Sequence, residues 1–150
     1  MVLLLQYTLI FASVLILVAL GGCFSEHSGV VNIGLEGIMV MGALGGALMM
    51  KYLPSTMAAP LVILFVILGS VIVGMVFSLF LGVAAIHFNA DQTLVGTALN
   101  LLGPAAAVVI VRAINMSESI DNVSSTVAYK EAKKAFLVNI GKFEFSWFML

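Results

Sequence analysis

Charge is what this chain has least of. Only 9% of its 150 residues are Asp, Glu, Lys or Arg, against about 25% in soluble domains. With 63% hydrophobic residues and a mean hydropathy of +1.23, lipid is left as the natural solvent. Six Lys and Arg and a net charge of -1 exclude the concentrated basic surface that phosphate binding needs, and with it a nucleic-acid partner. The single cysteine, Cys23, excludes an intramolecular disulfide, and His27 and His87 stand too far apart to give metal-ligand spacing. No Gly-x-x-x-x-Gly-Lys-Ser/Thr loop occurs, so the chain is not expected to bind or hydrolyse ATP itself. No Gly-x-Ser-x-Gly elbow or His-centred base constellation points to an enzyme. Glu26, Glu36 and Asp91 are of a type that relays protons in membranes, but they stand near the ends of hydrophobic runs, where a solvated interfacial charge is the safer reading.

What is present is a series of hydrophobic runs, each near the ~20 residues needed to cross ~30 Å of hydrocarbon. They predict an all-α, polytopic transmembrane bundle with about four spans, at residues 3–22, 37–53, 58–86 and 93–114. A loop is expected over 115–144 and the start of a further span at 145–150, where Trp147 suits an interface. The first run, ending in Leu20-Gly21-Gly22-Cys23, has a rival reading as a lipoprotein signal, against which stand the missing basic n-region and the hydrophobicity of everything downstream. Between the first two spans lie Gly29, Gly34 and Gly37 together with Glu26 and Glu36. Such a segment is either a broken or re-entrant element, tolerated where protein or water covers the backbone, or an interfacial loop leading into a helix with Glu36 at its positive end.

Small and polar residues mark two faces. Gly42 and Gly46 in the second span, and Ser70, Gly74, Ser78 and Gly82 in the third, recur every four residues and read chiefly as helix-packing surfaces. In the fourth span Gln92, Gly96, Asn100 and Pro104 share a face, and Pro104 frees the Asn100 carbonyl and predicts a kink. Polar groups at that depth either face a substrate path or bond a neighbouring helix.

The run Leu20-Gly21-Gly22-Cys23-Phe24-Ser25-Glu26-His27-Ser28-Gly29-Val30-Val31-Asn32-Ile33-Gly34-Leu35-Glu36-Gly37 resembles a block near the start of bacterial ABC permeases for nucleosides and simple sugars. A second run, Phe88-Asn89-Ala90-Asp91-Gln92-Thr93-Leu94-Val95-Gly96-Thr97-Ala98-Leu99-Asn100-Leu101-Leu102, is similar to a later segment of the same permeases. Departures are His27, where the family usually has arginine, and Cys23, where an apolar residue or glycine is common. The resemblance implies a multi-pass permease subunit in a bacterial inner membrane. Its expected partners are a second permease subunit, a cytoplasmic ATPase dimer carrying ATP and Mg, and an external substrate-binding lipoprotein. It further implies a partial, split or truncated product, because such permeases run well beyond 150 residues. Asn32, Glu36, Gln92, Thr97 and Asn100 are the expected path-lining residues. Every basic residue except Lys51 lies at or beyond Arg112, which would put the 115–144 loop inside, whereas the resemblance puts it outside. The competing expectation is a small self-contained membrane protein that oligomerises with or regulates a partner through its glycine and serine faces.

Overall fold

The computed structural model describes residues 2–54 and 57–127, together with the backbone of 137–140 and 143–146. Four helices account for most of it: α1 (Val2–His27), α2 (Leu35–Tyr52), α3 (Ala59–Gly82) and α4 (Gln92–Glu118). A π-helical turn, Val83–His87, prolongs α3, and a short antiparallel ladder pairs β1 (Leu137–Ile140) with β2 (Phe143–Ser146). The protein is thus a helical membrane bundle. By length and composition three described stretches can cross a membrane: Tyr7–His27, Pro60–His87 and Gln92–Glu118. The stretch expected as the second span, residues 37–53, is the exception. Its helix, α2, is the shortest of the four and carries Glu36 and Lys51 in its first and last turns.

Two further element boundaries differ from the expected ones. The loop expected from residue 115 begins later, because α4 continues to Glu118, and its distal part contains strand β1 and the start of β2. Of the further span expected at 145–150, Phe145 and Ser146 belong to β2, while Trp147 and the residues after it lie outside the described residues, as do Lys130, Glu131, Lys133, Lys134 and Lys142.

Helix ends follow local chemistry. α1 stops where Gly29 adopts φ 85°, a left-handed conformation that glycine takes without a Cβ penalty. Val30 N–H then reaches back to the Ser25 carbonyl and Gly29 N–H to that of Glu26, the paired bonds of a Schellman ending. α4 starts on Asp91, whose carboxylate accepts from the N–H groups of Thr93 at 2.8 Å and Leu94 at 3.3 Å. α3 starts with Pro60 in its first turn, where a missing N–H costs nothing.

Packing centres on α2. It runs antiparallel to α3, with Gly45 against Gly69 and Gly42 against Ser70 and Gly74, and parallel to α4, with Gly37 beside Gly103 and Lys51 beside Asn115. Met41, Leu44, Phe77, Leu81, Leu99 and Val111 fill the core between these helices. α1 stands apart: among the described residues none of its membrane-spanning stretch is buried, and Phe11 and Leu15 remain more than two-thirds exposed. Near Gly22, packed against Leu35, it meets α2.

A helix break clasped by the fourth helix

Between α1 and α2 the chain is non-helical from Ser28 to Gly34. This segment runs along the first turns of α4, from Gln92, the first residue of that helix, to Asn100. Asn100, which holds it, lies two turns into α4, about 12 Å along the axis from Gln92 at ~1.5 Å per residue. Backbone groups at such a depth need partners from within the protein.

α4 supplies them. The Gln92 side-chain oxygen accepts from Val31 N–H at 2.7 Å. Asn100 acts in both directions: its Nδ2 donates to the Ile33 carbonyl at 2.8 Å, and its Oδ1 accepts from Gly37 N–H at 2.8 Å. Gly37 is the third residue of α2, so its N–H is one of the four that a helix start leaves without an intrahelical partner. Gly34 at the N-cap provides no side-chain bond. The cap of α2 therefore comes from a different helix, through Asn100.

The approach is possible because Cβ atoms are missing on both sides. A Cβ on Gly96 would stand 2.9 Å from Gly34 N, and one on Gly103 would stand 2.7 Å from both the Cα and the carbonyl oxygen of Gly37. A Cβ on Gly37 would run into the Leu99 carbonyl group. Gly34 at the end of the break, Gly37 in the first turn of α2, and Gly96 and Gly103 on α4 thus form a backbone-to-backbone seam.

The expected site residues distribute unevenly around it. Gln92 and Asn100 are engaged with the break, Asn32 lies within it, and Glu36 is exposed on the first turn of α2. Thr97 is exposed and bonds its own helix, donating to the Thr93 carbonyl at 2.8 Å. Asn32 Oδ1 is buried and finds no hydrogen-bond donor among the described residues. Pro104 is exposed inside an uninterrupted α4, and the contact face passes through Gly103 instead. A four-residue repeat outruns the 3.6-residue turn, so by the fourth member the stripe has rotated away.

The expected packing stripe of α3 divides as well. Ser70 and Gly74 meet Gly42 and Gly46, whereas Ser78 donates to the Met75 carbonyl of its own helix and a Cβ on Gly82 would meet nothing within 4 Å. The antiparallel pairing puts Ser78 level with the first turn of α2 and Gly82 level with the start of that helix.

A polar cluster at the other end of α2 was not foreseen. Lys51, with its side chain 9% exposed, donates to Asn115 Oδ1 at 3.3 Å and pairs with Glu118 at 2.9 Å. Asn115, 2% exposed, also donates to the carbonyls of Ser124 at 2.9 Å and Thr126 at 3.0 Å, folding residues 119–127 back over the helix end. Gly45, Gly69 and Gly103 were also missed. A signal for Gly103 was available in the sequence, since Gly96, Asn100 and Gly103 follow the four-then-three spacing of a helix seam.

The chain belongs to the family of permease components of branched-chain amino acid transport systems, whose model matches residues 4–150. It is 45% identical over 118 residues to the guanosine ABC transporter permease NupQ of Bacillus subtilis, covering 77% of this chain and 36% of that protein. It is 34% identical over 121 residues to the nucleoside ABC transporter permease NupC of Lactococcus lactis, covering 81% of this chain and 38% of that one. Over a shorter stretch of 43 residues, 29% of this chain and 13% of the relative, it is 54% identical to a putative glucose ABC transporter permease of Haloferax volcanii. The chain spans little more than a third of the length of the two nucleoside permeases it matches. No solved structure matches it.

Proposed function

We propose that the chain forms part of the membrane permease of an ATP-driven importer of nucleosides or related ribosides, in a bacterial inner membrane. The observation that carries the proposal is the 45% identity to a guanosine permease. In this reading the chain performs no chemistry and holds no cofactor. ATP and Mg belong to a cytoplasmic ATPase dimer, a second permease subunit completes the pathway, and an external lipoprotein delivers the substrate. ATP binding closes the ATPase pair and rocks the permease subunits, and the chain contributes a different affinity for substrate in each state. The path passes beside the Ser28–Gly34 break, bordered by Asn32, Glu36, Gln92, Thr97 and Asn100, where irregular backbone and amide groups interrupt an otherwise apolar lining.

The test is uptake of radiolabelled guanosine by cells lacking their own nucleoside permeases and expressing this chain with the ATPase, second permease and binding protein of its importer. ATP-dependent uptake that disappears when this chain is omitted supports the proposal. Uptake of ribose or glucose instead would keep the transporter and replace the substrate class. Uptake unchanged by the chain's omission would overturn its role.

A further inference from the structure

The polar side chains around the break are not equivalent. Gln92 and Asn100 are committed to backbone groups of the 31–37 segment, and Thr97 to its own helix. Glu36 is exposed and needs no protein partner. Asn32 alone presents a buried oxygen with no donor among the described residues. It does so beside the glycine seam: a Cβ on Gly34 would stand 3.4 Å from Asn32 Oδ1, 3.4 Å from Leu99 Cβ and 3.5 Å from Gly96 Cα. Buried acceptors left without a donor are uncommon and costly, and each calls for an explanation in strain, a bound water or ion, or a functional role.

We propose a division of labour, resting on the nucleoside reading above, in which Asn32 is the substrate-contacting residue of the break and Gln92 and Asn100 are positioning residues. Asn32 Oδ1 accepts a hydrogen bond from a neutral donor, a ribose hydroxyl or a base N–H. Gln92 and Asn100 hold the segment that carries it against α4. The donor supplied by the passing substrate satisfies the amide oxygen only transiently, which suits a site that must also release.

The experiment compares Asn32→Leu with Asn100→Ala in the complete importer reconstituted in proteoliposomes, with radiolabelled guanosine as the probe. Each variant is read for uptake KM, maximal rate and the melting midpoint of the solubilised complex. For Asn32→Leu the expected result is a KM raised about tenfold, the loss of one hydrogen bond, with a melting midpoint equal to or above that of the unsubstituted protein. For Asn100→Ala the melting midpoint and the yield of assembled complex fall. A KM for Asn32→Leu unchanged within experimental scatter overturns the assignment, and so does a melting loss as large as that of Asn100→Ala. If the unsubstituted complex takes up no nucleoside, the substrate reading fails by itself. The melting pair then still decides whether Asn32 lacks the structural role that Asn100 has.

Discussion

The two ends of α2 are both tied to α4, by opposite means. At the N-terminal end the tie is made of neutral amides and missing side chains: Asn100 spans Ile33 and Gly37, and Gly34, Gly37, Gly96 and Gly103 let backbones touch. At the C-terminal end it is made of charge, with Lys51 held between Asn115 and Glu118. The difference follows from surroundings. Glu118 keeps 52% of its side chain exposed, so the charged end is wet, and a lysine there also suits the negative pole of its helix. Inside the bundle a charge is expensive, and a neutral amide satisfies one donor and one acceptor at once.

The comparison is sharpest at Gly37. Gly37→Leu forces a side chain into the Leu99 carbonyl group, where backbone rather than a flexible tip must yield, and we expect a loss of about 3 kcal/mol or more. Thermal unfolding of the detergent-solubilised protein measures it, and a melting midpoint near that of the unsubstituted chain would break the seam as described. Next comes Asn100→Ala, which strands the Gly37 N–H and the Ile33 carbonyl. Each stranded group costs about 1–3 kcal/mol, and protease nicking within 28–34 should accompany the loss. At the charged end the effect is smaller. Lys51→Met removes two contacts but leaves Asn115 bonded to Ser124 and Thr126, for a cost of about 1 kcal/mol. Glu118→Gln, at a half-exposed position, should stay within about 0.5 kcal/mol of the parent. If denaturant melts rank Glu118→Gln above Asn100→Ala, the charged tie is the dominant one and the comparison inverts. The smallest effect is of opposite sign. Gly82→Ala, in open space on a helix, should be neutral or stabilise by up to about 1 kcal/mol, read from the same melts.

The amide pattern of the candidate site was legible because Gln92 and Asn100 are polar residues in an apolar run, and an eight-residue separation keeps them on one helix face. Asn32 was legible only as part of a family block, since nothing local says that its oxygen lacks a donor. The α3 stripe was read correctly as small residues and too generously in length. Ser70 and Gly74 are used, whereas Ser78, level with the first turn of α2, bonds its own helix and Gly82 faces open space.

By itself the sequence determined that this is a helical membrane protein, where its hydrophobic runs lie and which residues punctuate them, because hydrophobicity, glycine backbone freedom and proline's missing N–H act within a few residues. Only the tertiary structure decided that α2 borrows its cap from Asn100, that Gly103 rather than Pro104 completes the seam, and that Lys51 meets Asn115 and Glu118. These contacts join positions more than sixty residues apart. Their partners are chosen by the relative direction and offset of whole helices, which no local spacing encodes.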